Sequence, residues 1–298
     1  MQEIVLWMRV MVLTLPLWLG AFEIQGHRGM RGIFPENTLI GFQRAIEQGV
    51  PVVEMDVLLN RENEVMIMHD FAINPSLYTS LDGKPIEKTL LIKDLTLSEL
   101  KNMDCGRLPH ARFPQQELVP GTTIPTLPEL LSMLNGLTSS YAHTCRLNIE
   151  LKADPAFPES IPSLFIVAQK VIATVQQSRF RDRVYYSSFD FALLQEVRKI
   201  DRDATIALLC EEENLAFYGI SSEDWIGNIL KKAKELRATV ISPHYQLVTL
   251  DVVRLVHDEG FRIIPWTVNE PSIALDLARI GVDGIITDYP VAMTKLFF

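Results

Sequence analysis

The sequence is poor in cysteine. Only three cysteines occur among its 298 residues, at positions 105, 145 and 210, and no C-x-x-C pattern is present. Three widely spaced cysteines cannot all pair with one another, which excludes a disulfide framework. They indicate packing residues or one incidental disulfide.

The sequence also has no run of basic residues. Its 28 lysines and arginines are outnumbered by 37 aspartates and glutamates, giving a formal net charge of -9. This balance argues against nucleic acid as a partner, because binding to a phosphate backbone needs a basic face. An anionic small substrate must therefore be held by local charges. The 48% hydrophobic content is that of an ordinary globular protein with a sizeable core.

Internal repeats and low-complexity tracts are absent as well, whereas the N-terminus is strongly apolar. Residues 4–19 read IVLWMRVMVLTLPLWL, and the small residues Gly20 and Ala21 follow. The uninterrupted apolar part spans about ten residues, which suits a secretory signal peptide better than a bilayer-spanning helix. We expect residues 1–21 to be a signal peptide of a secreted or periplasmic protein. An uncleaved anchor that holds the protein near a membrane, or a packed helix, are the alternatives.

From residue 22 to 298 the chain reads as one α/β domain in which short aliphatic or β-branched runs alternate with amphipathic stretches. The runs that predict strands are FEIQG (22–26), VVEMDV (52–57), RLNIEL (146–151), RVYYSS (183–188), ATIALL (204–209), ATVIS (238–242), RIIPWTV (262–268) and GIITD (284–288). Eight strands with helices between them predict a (β/α)₈ TIM barrel, whose functional residues follow the C-terminal ends of the strands. A doubly wound open sheet is the alternative.

Two segments depart from this alternation. VMIM (65–68) follows the second strand too closely for a helical crossover, so we expect an antiparallel hairpin with its turn at NREN. Pairing Asn60 with Asn63 in that turn places residue 69 opposite residue 54. Residues 71–125 are turn-rich, with one helix-like piece, TLSELKNM, and form an insertion able to cap a site.

Acidic residues on the predicted strands suggest a metal site. Glu54 and Asp56 stand at i and i+2 of the second strand, so their side chains share a face, and Glu150 ends the NIEL strand. Three oxygen ligands without cysteine favour Mg²⁺ or Ca²⁺ over zinc. The alternative is that Glu54 and Asp56 are half of a salt-bridge cluster.

Basic residues and histidines occur at the same predicted strand ends. His27 and Arg28 end the first strand, and Lys152 follows Glu150 at i+2. Arginine and lysine suit a phosphate, while His27 and His69 suit proton transfer at neutral pH.

Each of these residues also has a structural interpretation. Arg28 can pair with Glu36 on the surface, and His69 can belong to a strand end with an Asx turn at Asp70. We expect Arg31 to be a surface arginine. Structural or surface roles are likewise expected for the remaining histidines, which are His110, His143, His244 and His257.

The motifs taken together resemble those of the glycerophosphodiester phosphodiesterase family. In order they are GHRG, PENT, VEMDV, MIMHD, IELK, PWTVN and GIITDYP, and they extend from about Gly26 to Pro290. The resemblance implies a (β/α)₈ barrel that hydrolyses glycerophosphodiesters to glycerol 3-phosphate and an alcohol, with one divalent cation. It implies His27 and His69 as acid and base, Arg28 and Lys152 as phosphate contacts, and Glu54, Asp56 and Glu150 as metal ligands.

Some details depart from the pattern or lie outside it. The hairpin turn NREN lacks the glycine usual in the family, although its length is unchanged. We expect Asn37 to cap the following helix. Trp266 either forms a wall of the substrate site or packs the barrel.

Other activities fit the same chemistry. A lysophospholipase D, a phosphatidylinositol-type phospholipase C and a phosphodiesterase of a wall polymer are the nearest alternatives. A non-catalytic ligand-binding barrel is of a different class, and the presence of all seven site residues argues against it.

Overall fold

The computed structural model describes residues 22–221 and 224–298. The expected signal peptide or anchor at residues 1–21 lies outside this range. Among the described helices, none combines the length and the apolar character needed to cross a bilayer.

Strands and helices alternate along the described chain. The strands are β1 (Glu23–Gly26), β2 (Val52–Leu59), β3 (Val65–Ile67), β4 (Thr79–Ser80), β5 (Met103–Asp104), β6 (Arg146–Leu151), β7 (Val184–Ser188), β8 (Thr205–Cys210), β9 (Val240–Pro243), β10 (Arg262–Ile263) and β11 (Gly284–Thr287). The α-helices are α1 (Leu39–Glu47), α2 (Leu97–Lys101), α3 (Leu127–Gly136), α4 (Ser140–Thr144), α5 (Leu164–Gln176), α6 (Phe191–Ile200), α7 (Glu212–Phe217), α8 (Trp225–Leu236), α9 (Leu250–Asp258), α10 (Pro271–Arg279) and α11 (Pro290–Phe297).

Eight of these strands form the predicted TIM barrel. Their order is β10-β9-β8-β7-β6-β2-β1-β11, and each neighbouring pair is parallel. Backbone hydrogen bonds close the ring, since Asp283 N–H donates to Ile263 and Ile286 N–H donates to Pro265. β10 is shorter than the predicted run at 262–268, although Val268 N–H also donates to the carbonyl of Ile286.

Side chains alternate between the barrel interior and the helical layer because successive strand residues point to opposite faces. The apolar interior layer consists of Val52, Tyr185, Ala207, Val240, Ile264 and Ile286. A second, larger core packs the outward-facing strand residues against the helices. On β2, therefore, Val52, Glu54 and Asp56 face inward, whereas Met55 and Val57 face the helices. A parallel barrel places all C-terminal strand ends at one mouth, where the functional residues are expected.

The β2–β3 hairpin forms as predicted, but its register differs by one residue. Leu59 pairs with Val65 and Val57 with Ile67, and the Asn60 N–H donates to the carbonyl of Glu64, which leaves residues 61–63 as a three-residue turn. Asn63 adopts a positive φ of 58°, and the Asn60 side chain accepts N–H groups of Glu62 and Glu64. The expected pairing of residues 54 and 69 is therefore wrong.

The insertion at 71–125 contains the short β4–β5 ribbon and α2, and it contacts the loop after β1. Gln116 Nε2 donates to the carbonyls of Arg31 and Phe34 at 2.7 and 3.0 Å. Glu117 N–H donates to the carbonyl of Ile33 at 2.7 Å. Three hydrogen bonds from the insertion thus hold the backbone of the first loop.

Candidate active site

A cavity of about 870 Å³ opens at the C-terminal mouth of the barrel. The sequence-predicted residues that line it are His27, Arg28, Glu54, His69, Glu150, Lys152 and Trp266. Asp56 lies beside them and is almost fully buried. The structure thus brings all eight candidate residues together, although they come from five different strand ends.

His27 follows β1 and pairs with a carboxylate that sequence reasoning did not single out. Its Nδ1 lies 2.7 Å from Oδ1 of Asp288, the residue after β11, and Asn269 Nδ2 donates to Asp288 Oδ2 at 2.6 Å. An ionised carboxylate only accepts hydrogen bonds, so Nδ1 carries the proton and Nε2 is available to a ligand. The motif GIITDYP could have indicated Asp288 as a site residue, because it places an aspartate directly after a strand.

The His27 and Asp288 pKa values shift in the same direction. Burial lowers the pKa of His27, and Arg28 and Arg31 lower it further against the opposing effect of Asp288. Burial raises the pKa of Asp288, but His27 and Arg31 outweigh it and lower that pKa to about 2. Asp288 is therefore an anion at neutral pH.

His69 reaches the cavity even though the hairpin register was predicted wrongly. β3 ends at Ile67, and the chain bends at His69, so the alternation of the ladder no longer sets the direction of this side chain. Its Nδ1 lies 2.7 Å from Oδ1 of Asp70. Burial and the charge of Lys152 lower its pKa. His69 is thus a second histidine with a carboxylate partner.

Glu54, Asp56 and Glu150 form a buried acidic cluster. One carboxylate oxygen of each lies within 4.8 Å of the others. Glu54 Oε2 accepts the Arg28 N–H at 2.8 Å, but Glu54 Oε1 is buried with no hydrogen-bond partner in the described chain. Burial, Asp56 and Glu150 together raise the pKa of Glu54 well above its usual value. Hard oxygen donors with an unsatisfied buried atom fit a divalent cation such as Mg²⁺ or Ca²⁺.

Two cations accompany these acids. Arg28 Nε lies 3.2 Å from Asp56 Oδ2, and Lys152 Nζ lies 2.6 Å from Glu150 Oε1 and 3.6 Å from Asp56 Oδ1. Burial opposes the ionisation of Asp56, but Arg28, together with His69 and Lys152, outweighs it and keeps its pKa far below the usual range. Burial acts to lower the pKa of Lys152, but the charges of Glu150 and Asp56 outweigh burial, so the pKa lies above its usual value.

Arg31 is buried, contrary to the expectation of a surface arginine, and Glu36, with 12% of its side chain exposed, pairs with Arg28 below the surface instead of on it. Glu36 Oε1 lies 2.7 Å from Arg28 Nη1, and Glu36 Oε2 lies 2.7 Å from Arg31 Nε. The insertion covers this pair, with His110 Nε2 at 3.8 Å from Glu36 and Phe113 under the Arg31 guanidinium. Glu36 therefore fixes Arg28 from the side away from the acids.

The expectation that Asn37 caps α1 is wrong. Thr38 is the N-cap and accepts the Gly41 N–H. Asn37 has a positive φ of 55°, donates from Nδ2 to Asp56 Oδ2 at 2.9 Å and accepts the Asp56 N–H at 3.3 Å. Its side chain thus orients one member of the acidic cluster.

The remaining histidines divide between the cavity and other surroundings. His244 lines the cavity, and its ring packs edge-on against Trp266, which lines it too. His110 is buried under the first loop, which fits the structural role that was one of the two expected for it. His257 pairs with Asp283 at 3.0 Å away from the cavity, and His143 is exposed.

The sequence profile of the glycerophosphoryl diester phosphodiesterase family matches residues 27–292. A glycerophosphodiester phosphodiesterase of Bacillus altitudinis is 29% identical over 278 residues, which cover 92% of this chain and 97% of the relative. One from Caldanaerobacter subterraneus is 28% identical over 270 residues, which cover 91% and 95%.

Solved structures agree in fold. A putative glycerophosphoryl diester phosphodiesterase from Silicibacter pomeroyi superposes with a TM-score of 0.84 at 29% identity and covers 93% of both chains. A phosphodiesterase from Oleispira antarctica, in complex with the product sn-glycerol-3-phosphate, gives a TM-score of 0.71 at 23% identity, covering 92% of this chain and 96% of that one.

Proposed function

Since the chain belongs to the glycerophosphoryl diester phosphodiesterase family and is a phosphodiesterase of glycerophosphodiesters, we propose that it releases glycerol 3-phosphate by acid and base catalysis at His27 and His69, with a divalent cation bound by Glu54, Asp56 and Glu150. The observation that carries this proposal is the convergence of two histidines, two cations and three carboxylates on one cavity.

The phosphate is held by Arg28 and Lys152. Both are buried cations beside the acidic cluster, and Glu36 fixes the Arg28 guanidinium on its other side. Charge-assisted hydrogen bonds from fixed donors stabilise the charge that grows on the phosphate oxygens in the transition state. A bound divalent cation supplies Lewis-acid polarisation of a phosphate oxygen and lowers the pKa of a coordinated hydroxyl.

His69 acts as the base and His27 as the acid in this proposal. Asp288 is almost fully buried, with 1% of its side chain exposed, and remains an anion, so it stabilises a protonated His27. Asp70 is 39% exposed, and its stabilisation of a protonated His69 is weakened by water. Asp288 therefore favours the protonated form of His27, from which a general acid must start, more strongly than Asp70 favours the protonated form of His69, which must start neutral to act as the base.

The proposed route has two steps. His69 takes the proton of the glycerol hydroxyl next to the phosphoester, whose oxygen bonds to phosphorus while the bond to the alcohol breaks. His27 protonates the departing alcohol oxygen. Water then opens the cyclic phosphate with the histidine roles reversed. A neighbouring hydroxyl gives a high effective molarity; attack by water in one step is the competing route.

One assay tests the function. Purified protein is incubated with glycerophosphodiesters and lysophospholipids, with Mg²⁺, with Ca²⁺ or with EDTA, and the phosphorylated product is identified. We expect glycerol 3-phosphate from the diesters, no turnover after chelation, and a cyclic phosphate when water is competed out. Full activity after exhaustive chelation would refute the metal site, and lysophospholipids as the preferred substrates would favour a lysophospholipase D.

We further propose that residues 1–21 are a signal peptide that directs the protein out of the cytoplasm, where it acts in glycerophospholipid metabolism. The support is the apolar run at 4–19 followed by small residues. The mass and N-terminal sequence of the protein recovered from secreted and membrane fractions test this proposal. A mature chain that starts near residue 22 supports cleavage, and an intact chain in the membrane fraction supports an anchor.

A further inference from the structure

The wall of the cavity opposite His27 differs in chemistry from the wall to which His27 belongs. β8 is four places from β1 around the eight-stranded ring, so the residues after β8 lie across the barrel from His27. Aromatic side chains follow two other strands on this side of the ring, with Phe189 after the adjacent β7 and Trp266 after β10, two places from β8. Phe217 and Tyr218, in and directly after α7, extend this aromatic wall to the rim.

The aromatic side chains form two contacting pairs, and the outer pair is partly open to water. The Trp266 ring lies edge-on to Phe189 with centroids 5.3 Å apart, and Phe217 lies perpendicular to Tyr218 at 5.4 Å. Phe217 is 53% exposed although it borders a deep cavity. A large aromatic group left open to water at a cavity rim is available to a ligand.

Carboxylates lie among these aromatic groups without cations of their own. Glu211 and Glu213 line the cavity beside Phe217, and Asp154 and Glu270 line it from neighbouring loops. Among the described residues none of these four makes an ion pair, whereas Arg28, Arg31 and Lys152 are each paired with a carboxylate. Lys152 Nζ also lies 5.9 Å from the centre of the Phe189 ring, so that ring already faces a cation. Burial raises the pKa of Glu211, and the charges of Glu213 and Glu150 raise it further against the opposing effect of Lys152.

We infer that this wall, formed by Glu211, Glu213, Phe217, Tyr218 and Trp266, is an ammonium subsite that binds the alcohol part of glycerophosphodiesters carrying a positive charge, such as choline or ethanolamine. The inference rests on the proposed function. Aromatic faces and carboxylates both attract an organic cation. A neutral polyol leaves the carboxylate charge uncompensated, and an acyl chain places apolar surface against it.

The test compares substrates that differ in the charge of the alcohol. The kcat/KM values are measured for glycerophosphocholine and for neutral glycerophosphoglycerol in the wild type, Glu211→Gln and Phe217→Leu. We expect the wild type to prefer glycerophosphocholine, and each substitution to lower the ratio of the two kcat/KM values about threefold to tenfold. Leucine keeps an apolar group at 217 while removing the aromatic face.

Two matched controls change the same residue types elsewhere. Glu159→Gln and Phe165→Leu alter exposed side chains that do not line the cavity, so the ratio should stay at the wild-type value. Choline chloride provides a second measurement. It should inhibit the hydrolysis of glycerophosphoglycerol by the wild type more than equimolar NaCl does, and less so in Glu211→Gln.

The outcomes separate this inference from the function on which it rests. Equal kcat/KM values for the two substrates, or ratios unchanged in both variants, would overturn the ammonium subsite while leaving the phosphodiesterase intact. Absence of glycerol 3-phosphate from every diester in the presence of Mg²⁺ and Ca²⁺ would instead overturn the proposed function. Choline inhibition that Glu211→Gln leaves unchanged also counts against the subsite.

Discussion

Two buried glutamates lie at opposite ends of the barrel interior, and their surroundings differ. Glu23 begins β1 at the N-terminal end, where both of its carboxylate oxygens have two donors. Its Oε2 accepts from Arg146 at 2.5 Å and from Arg262 at 3.1 Å. Its Oε1 accepts from Gln25 at 2.7 Å and from Tyr185 at 3.2 Å. The protein itself satisfies this charge completely.

Glu54 lies toward the C-terminal mouth, and its charge is incompletely satisfied. One oxygen accepts the Arg28 N–H, the other accepts nothing from the described residues, and two further carboxylates are close. Burial opposes ionisation at both ends. At Glu23, Arg262 and Arg146 outweigh it and lower the pKa, whereas at Glu54 the neighbouring acids add to it and raise the pKa.

The difference teaches that burial of a charge does not by itself identify a functional site. A carboxylate with a full set of internal donors stabilises the fold and leaves nothing for a ligand. A buried carboxylate that lacks donors and is surrounded by like charges requires a partner from outside the chain. Substitutions at the two ends should therefore affect activity and stability in opposite ways.

The largest contrast is expected between the two histidine–carboxylate pairs at the mouth and the one at the other end of the barrel. His27→Ala and His69→Ala at the mouth should each lower kcat about 10²- to 10⁴-fold, since each removes a proton-transfer group. His257, which pairs with Asp283 at the other end, is the matched control, and His257→Ala should keep the wild-type kcat. Steady-state kinetics and circular dichroism spectra check this, and an unchanged rate in either mouth variant would remove that histidine from the mechanism.

A divalent cation should stabilise the protein by binding at the C-terminal mouth of the barrel and not at the N-terminal end. Mg²⁺ or Ca²⁺ at one hundred times its Kd should raise the free energy of unfolding by about 2.7 kcal/mol, because it binds only the folded chain. Thermal unfolding with and without the cation measures this. The increase should disappear in Glu54→Gln and persist in Glu23→Gln; the same increase in both variants would place the cation elsewhere.

Without added cation, the two glutamates should differ in their effect on stability. Glu23→Gln leaves two arginines without their anion, and because these are 32% and 41% exposed, we expect a loss of about 2 kcal/mol, less than for a fully buried pair. Glu54→Gln removes repulsion among three carboxylates and should cost no stability. Urea unfolding in EDTA compares them, and a larger loss in Glu54→Gln would reverse our interpretation.

The smallest effect is the pH dependence of the Glu23 contribution. The pKa of Glu23 in the folded protein is lower than the ordinary 4.5, so the folded state binds fewer protons. Its stabilisation is therefore full above pH 4.5 and is lost as the pH falls through the folded-state pKa. The difference in unfolding free energy between wild type and Glu23→Gln should shrink at pH 3 to 4, and a difference independent of pH would exclude this linkage.

The sequence predicted the barrel well because its signals are local. Each strand is a short aliphatic run bounded by turn residues, and a parallel barrel brings the ends of such runs to one mouth. Glu54, Asp56 and Glu150 could be placed together on this argument alone, since strand alternation fixes the face of each side chain.

The errors concern contacts set by three-dimensional packing. The hairpin turn uses three residues because Asn63 tolerates a left-handed backbone, and the NREN sequence does not reveal which residue adopts it. The burial of Arg31 could not be predicted locally, because it depends on Phe113, which is distant in sequence. Asn37 looked like a helix cap, but the adjacent Thr38 takes that role and frees Asn37 to bond to Asp56.

The hydrogen bonds from Gln116 and Glu117 to the first loop have a consequence for engineering. An insertion at a barrel mouth is an obvious segment to exchange when a new substrate range is wanted. Here the same segment holds the loop that follows His27, so a transplanted insertion must supply a side-chain amide in place of Gln116 and a free backbone N–H in place of that of Glu117. An exchange of the insertion that ignores these bonds would therefore also alter the loop after β1.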